Sequence, residues 1–237
     1  INRVEICLNQ RVTSLDLMDA AYDDIVIATG SVPRQLEIPG SHLPTVLSYV
    51  DVLNLDKPVG QKVAIIGAGG IGFDVALFLT HNNSEKGQVK ERFLTAWGID
   101  MSYSDSGGLS SLDPPIHHSN RQVYLLQRKG SKIGKDLGKT TGWIHRATLK
   151  NHGVVMLNGV TYKYINDDGL TISRRGEIQT ITVDTIVICA GQVPLDDLYH
   201  DINNSGKAVH LIGGAERAVE LDAKRAIDQG CRLAATL

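Results

Sequence analysis

Two near-repeats bracket a single glycine-rich loop. Residues 22–33 read YDDIVIATGSVP and residues 183–194 read VDTIVICAGQVP; between them lies GAGGIG at residues 67–72. Each repeat runs through a β-branched strand segment into a glycine turn and then a proline. This pairing constrains the architecture more than the loop does, because any fold must place two equivalent strands around one strand-turn-helix unit.

A chain of 237 residues can form one large domain or two smaller ones, and a 42% hydrophobic share supports an ordinary core. The net charge of -2 gives no electrostatic reason for a nucleic-acid or anionic-membrane partner, so phosphate binding has to be local. The longest apolar runs are strand-sized, far short of the roughly 20 residues that cross a bilayer. Cys7, Cys189 and Cys231 are scattered without C-x-x-C spacing, which suggests neither a disulfide framework nor a metal or cluster site and predicts buried, reduced thiols. The chain opens on INRVEICLNQ with neither an initiator Met nor a signal peptide. A cytoplasmic protein cut from something longer is therefore expected.

Along the chain, alternation predicts strands at residues 4–8 and 24–28, followed by a proline-spaced extended segment through Pro33, Pro39 and Pro44. KVAII at 62–66 is a continuous apolar strand. Ile71, Val75, Phe78 and Leu79 then recur at helical spacing. Residues 82–121 are too long and polar for an ordinary connection and read as an insertion, with a helix near 89–97. QVYLLQRKG (122–130) resumes as strand, and TTGWIHRATLKNHG (140–153) as a helix with a threonine cap and a glycine stop. VVMLNG is a third strand, residues 161–184 form an antiparallel meander, TIVICAG and AVHLIGG are further strands, and a helix covers about 219–237. The class is α/β.

The strand-turn-helix context gives GAGGIG its chemistry. Gly67 turns the chain off the strand, Gly69 lets backbone amides approach a pyrophosphate, and Gly72 allows close helix packing; Gly70 and Ile71 add helix N-terminal amides. The alternative is a merely tight turn. Counting about 20 residues onward reaches Glu91, the acid expected for NAD, but EKGQVKERF is no strand. With the insertion set aside, the second strand ends at Arg128 and Lys129, cations suited to the 2′-phosphate of NADP(H) unless they are simply solvated. Lys135 and Lys139 could extend that pocket. His117, His118, His145, His152, Asp105 and Asp113 lack metal-ligand spacing, so no metal is assigned, and no nucleophile elbow appears.

The runs VAIIGAGGIGFDVALFL, LQRKGSKIGKDLGKTTGWIHRATL, DTIVICAGQVP and VHLIGGAERAVELDAKRAIDQG together resemble the bacterial NADPH-dependent 2,4-dienoyl-CoA reductases, old-yellow-enzyme and trimethylamine-dehydrogenase-like flavoproteins. The resemblance implies a Rossmann-like NAD(P)-binding domain inserted into a partial FAD-binding domain. It assigns residues 1–55 to a first FAD segment, 56–190 to the NADP domain with its insertion near 82–121, and 191–237 to a closing FAD segment. The two near-repeats then look like the crossings between domains. Ala28, Thr29, Gly30, Gly191, Gly213, Gly214 and Leu221 fall at the implied flavin end.

The resemblance also implies an upstream barrel of the same polypeptide carrying FMN and a 4Fe–4S cluster, with electrons passing from NADPH through FAD to an enoyl-CoA. This chain holds no such barrel, no cluster cysteines and no first FAD glycine loop, and Gly213-Gly214-Ala215 stands where many relatives carry Gly-Asp. The family's substrate-protonating residues lie in the barrel, so no catalytic residue is assigned. Two alternatives stay open: a related NADPH-dependent flavoprotein reductase with another acceptor, and a non-catalytic NADP-sensing module.

Overall fold

The computed structural model describes residues 4–81, 89–104, 106–109, 119–219 and 223–237. In chain order the elements are α1 (Ser14–Asp19), β1 (Asp24–Ile27), β2 (Ser31–Pro33), β3 (Val46–Ser48), α2 (Tyr49–Leu53), β4 (Lys62–Ile66), α3 (Gly70–Thr80) and α4 (Val89–Ala96). Then follow β5 (Gln122–Gln127), α5 (Gly142–Asn151), β6 (Val155–Asn158), β7 (Val160–Asn166), β8 (Gly169–Arg174) and β9 (Glu177–Ile181). The chain closes with β10 (Thr185–Ile188), β11 (Gln192–Pro194), α6 (Asp197–Ile202), β12 (Ala208–Leu211) and α7 (Ala223–Ala234). They divide into two units, one of residues 35–190 and one of the flanking segments up to Arg34 and from Gly191.

In the larger unit five parallel strands run in the order β3-β10-β4-β5-β6. Alternate residues serve opposite faces. Val63, Ile65, Val123, Leu125 and Val187 pack with Val52, Phe73, Val75, Leu79 and Leu149 of α2, α3 and α5. Ala64, Ile66, Leu126 and Ile186 pack with Val160, Ile165, Leu170, Ile172 and Ile181 of the antiparallel sheet β7-β8-β9. Burial on both faces explains why KVAII reads as an unbroken apolar run. α3, apolar nearly all round, is correspondingly buried at Phe73, Val75, Ala76 and Leu79.

In the smaller unit β1 and β12 pair in parallel from Asp24↔Ala208 to Ile27↔Leu211 over a core of Ile25, Ile27, Ile202 and Ala215. β2 and β11 form a separate antiparallel ribbon with Val32 opposite Val193. The tails of the two near-repeats, SVP and QVP, are thus each other's partners. Each proline sits at a ribbon end, where its missing N–H costs no interior ladder bond. The Arg34 amide donates to the Gly191 carbonyl at 3.2 Å, the Leu195 amide to the Gly30 carbonyl at 3.1 Å, and the Thr29 hydroxyl to the Leu195 carbonyl.

Several expectations are corrected. Residues 4–8 form no strand; Val4, Ile6 and Leu8 are 72%, 75% and 78% exposed, because alternation makes a strand only where a neighbouring strand accepts it. Cys7 and Cys231 are exposed, and only Cys189 is buried. The segment expected to be extended throughout contains α2, started by a capping box in which the Asp51 amide donates to Ser48 Oγ at 3.2 Å and the Ser48 amide to Asp51 Oδ2 at 2.8 Å. Thr141 makes no side-chain cap on α5: it sits at φ -114, ψ -20 rather than in the extended conformation of a capping residue, and the Ile144 amide bonds its carbonyl at 3.0 Å instead. The segment 35–55, grouped by sequence with the FAD portion, contributes β3 to the five-stranded sheet by pairing with β10.

Candidate dinucleotide site

The turn after β4 separates its glycines by what each one touches. Gly67 adopts φ +110, and a Cβ there would lie 2.6 Å from the Cys189 carbonyl oxygen. A Cβ on Gly72 would lie 1.9 Å from the Gly67 carbonyl oxygen and 3.5 Å from a methyl of Leu125. Both glycines are therefore demanded by the chain's own packing. Gly69 and Gly70 are different: a Cβ at either meets nothing within 4 Å. Gly69 is the N-cap of α3 with no side-chain cap, so the first amides of the helix, at Gly70, Ile71 and Gly72, have no intrahelical acceptor. This open cradle of amides at a helix N-terminus fits a pyrophosphate, and a side chain at Gly69 would fill it.

β5 brings the charge. Ile66 pairs with Leu126, and the Gly67 amide donates to the Leu126 carbonyl at 2.9 Å, so the chain leaves β5 beside the glycine turn. Gln127 Nε2 donates to the carbonyls of Lys129 and Ser131, each at 2.9 Å, and Asn158 Nδ2 to the Gly130 carbonyl at 2.8 Å. These two amides hold the turn's carbonyls while Arg128 and Lys129 stay exposed. Sequence reasoning passed over both. Lys129 Nζ lies 3.4 Å from Asp136, an exposed pair. Between residues 128 and 139, Arg128, Lys129, Lys132, Lys135 and Lys139 face one carboxylate, Asp136, giving a basic connection in a slightly acidic chain. Tyr162, whose hydroxyl donates to the Leu126 carbonyl at 3.3 Å, has its phenol pushed well above the ordinary range by burial, with the charge of Arg128 opposing more weakly. Glu91 sits on α4 and ends no strand.

The residues expected at a flavin end lie in the smaller unit. Ala28 and Thr29 are exposed, and the Thr29 hydroxyl is committed to Leu195. Gly30 and Gly213 adopt φ +81 and +66 with open space where a Cβ would stand. The Gly213 amide donates to Gln229 Oε1 at 2.8 Å, and Gln229 Nε2 in turn to Glu216, so α7 holds the turn that includes Gly214. Gly191 adopts φ +94, with the Arg34 guanidinium 3.6 Å from where a Cβ would stand. Leu221 lies outside the described residues. Among the described residues no cluster of His, Cys, Asp or Glu could hold a metal, and no helix is long and apolar enough to cross a membrane.

Residues 2–221 match the family model described as pyridine nucleotide-disulphide oxidoreductase. The chain belongs to this family. It is 30% identical over 214 residues to the cinnamate reductase of Clostridium sporogenes, covering 90% of this chain and 27% of that protein. To the metal reductase of Desulforamulus reducens it is 26% identical over 216 residues, covering 90% and 31%. Among solved structures it resembles a 2-naphthoyl-CoA reductase complex with TM-score 0.70 at 25% identity, covering 94% of this chain and 28% of that one. An amine oxidase from Pseudomonas geniculata shares the fold with TM-score 0.67 at 18% identity. The chain thus spans about a third or less of the length of these relatives. The fold is that of FAD/NAD(P)-binding flavoprotein reductases with two dinucleotide-binding domains. The family's name includes a disulphide, but all three cysteines here are free, and burial pushes the Cys189 thiol up to about 12.

Proposed function

We propose that this chain is the electron-input portion of an NADPH-dependent flavoprotein reductase, and that the intact protein reduces 2,4-dienoyl-CoA thioesters in the oxidation of unsaturated fatty acids. The observation that carries the input role is the exposed Arg128–Lys129 pair leaving β5 beside an open glycine cradle. The helix N-terminal amides of Gly70 and Ile71 receive the pyrophosphate, and Arg128, with Lys129 and Lys139 around it, receives the 2′-phosphate. Gly67 and Gly72 keep the turn tight enough to expose those amides. Ala28, Thr29, Gly30, Gly191, Gly213 and Gly214 form the flavin-end contacts of an FAD portion. When bound, NADPH supplies a hydride and FAD accepts it; the chain's own residues bind and orient.

The acceptor reading is supported by two relatives whose names describe reduction of a conjugated acid or aryl-CoA thioester, cinnamate reductase and 2-naphthoyl-CoA reductase. Their greater length also accommodates the FMN and 4Fe–4S barrel included in this proposal. The test is NADPH oxidation by the full-length gene product with a 2,4-dienoyl-CoA, with cinnamate as the competing acceptor. Turnover with cinnamate but not the dienoyl thioester would overturn the acceptor and leave the input role standing. Equal binding of NADPH and NADH by this chain would overturn the assignment of Arg128 to the 2′-phosphate, and binding of neither would overturn the input role itself.

A further inference from the structure

The larger unit contains a second recess, away from the glycine turn. Between the parallel sheet and the antiparallel sheet lies a cleft of about 490 Å³ lined by Lys62, Gln122, Tyr124, Leu157, Arg174 and the β9 segment from Gln179 to Thr182. That volume is within the range of small-molecule sites. Lys62 and Gln122 begin β4 and β5, so this end of the cleft is five residues of strand, roughly 15 Å, from the glycine turn and Arg128 at the strands' other ends. Leu157, opposite Leu126, and Arg174, bonded to Asn158, line the other end, nearer the turn after β5; residues 67–72 are not part of the described lining.

The lining has a definite chemistry. Two cations, the Lys62 ammonium and the Arg174 guanidinium, come with two amide side chains, two threonine hydroxyls and a phenol, and among the described residues no carboxylate lines the recess. The nearby carboxylate of Asp184 accepts from the backbone amides of Gln61 and Lys62 at 3.0 and 2.8 Å, and is spent on the β4 entry. Arg174 is held rigidly: its Nε donates to the Asn158 carbonyl at 2.9 Å and its Nη2 to Asn158 Oδ1 at 3.3 Å. Gln122 Nε2 donates to the Tyr124 hydroxyl at 2.8 Å, fixing the phenol against the cleft floor. Leu157 and the buried Ile181 supply apolar wall beside the tyrosine ring.

We infer that this cleft is a second ligand site, taking an anionic small molecule of mononucleotide size whose phosphoryl group meets Lys62 at one end, whose flat apolar part lies on Tyr124, Leu157 and Ile181, and whose far end reaches toward Arg174. The Lys62 ammonium offers a phosphate a charge-assisted contact, and the amides and hydroxyls suit a ribose-like polyol. The placement does not depend on the cofactor reading given above.

Titration of the isotope-labelled chain with adenosine 5′-monophosphate, followed by NMR, tests it. The Gly69→Val variant is used as the background so that the dinucleotide cradle does not compete. Saturable shifts are expected at the Leu157 and Ile181 methyls and the Gln122 and Gln179 side-chain amides. Lys62→Ala is expected to weaken binding about tenfold, the loss of one charge-assisted contact. Because Arg174 also fastens β8 to β6, the exposed Lys62 supplies the primary variant, with Arg174→Lys as the second. Absence of saturable shifts at those groups, or unchanged affinity in Lys62→Ala, would overturn the inference. Shifts confined to residues 67–72 and 128 would overturn it too.

Discussion

The contrast between Gly69 and Gly72 yields a prediction in which stability and binding separate. Gly69→Val places a side chain into open space on a backbone at φ -85, ψ -170, an extended conformation that valine adopts readily. The loss of N-cap preference, up to about 1 kcal/mol, is offset by the reduced freedom of the unfolded chain, about 0.4–1 kcal/mol. The melting temperature should therefore move by no more than about 4 °C. Gly72→Ala is the reverse case. Its Cβ would stand 1.9 Å from the Gly67 carbonyl oxygen, so the turn and helix must separate, at a cost of about 1–3 kcal/mol. At 2–4 °C per kcal/mol this lowers the melting temperature by roughly 2–12 °C. Thermal melts by circular dichroism and NADPH calorimetry on both variants decide the matter. Gly69→Val should melt like the unmutated chain yet lose at least about a hundredfold in NADPH affinity, equivalent to about 2.7 kcal/mol. If Gly69→Val binds NADPH normally, the open space above Gly69 is not where the pyrophosphate lies; if it melts as low as Gly72→Ala, the division between packing and binding glycines is wrong.

Arg128→Ala should weaken NADPH binding about tenfold to a hundredfold while leaving NADH unchanged, measured by calorimetry with both cofactors; a parallel loss for NADH would mean that the arginine supports the turn rather than the 2′-phosphate. An aromatic disulfide reagent should titrate Cys7 and Cys231 in the native chain and Cys189 only after denaturation, because the Cys189 thiol is buried and raised to about 12. Asp51, with Lys57 Nζ 2.6 Å away and the Ser48 cap beside it, has its carboxyl lowered from 3.8 to about 2. A lowered acid stabilises the fold above its ordinary pKa and loses that contribution as the pH falls from 3.8 toward 2. Asp51→Asn should accordingly cost on the order of 1 kcal/mol in urea unfolding at pH 7 and much less at pH 2.5; an equal cost at both pH values would show that the carboxylate charge is irrelevant.

What could be read from residues alone was whatever depends on near neighbours. β4, the glycine turn and α3 form one continuous local signal, and β5 was legible beyond residues 82–121 because it repeats the apolar pattern of β4. α1 and α2 were legible and overlooked: TSLD and SYVD are both capping boxes, but helices of six and five residues carry too little periodicity to draw attention. Other features lie between segments far apart in sequence. The roles of Gln127 and Asn158 appear only when β6 comes beside the turn after β5. The membership of β3 depends on β10, and the bond from the Gly213 amide depends on α7 folding back to present Gln229. The failure at residues 4–8 is of the same kind, since alternation is a local property and a partner strand is not.

The β2–β11 ribbon also bears on the order in which the chain can fold. It closes residues 35–190 into a loop, and bringing the ends of so long a flexible segment together costs about 4–5 kcal/mol in chain entropy. A ribbon of three residues on each side cannot meet that cost alone. Once residues 35–190 have folded, their ends are already held in place, and Val32 finds Val193 with little further loss. The smaller unit, written in two pieces, is thus contingent on the larger one. A lesion deep in the five-stranded sheet, such as Leu125→Ala, should dissolve the pairing of β1 with β12 as well, whereas a lesion at Ile25 or Ile202 should leave residues 35–190 standing.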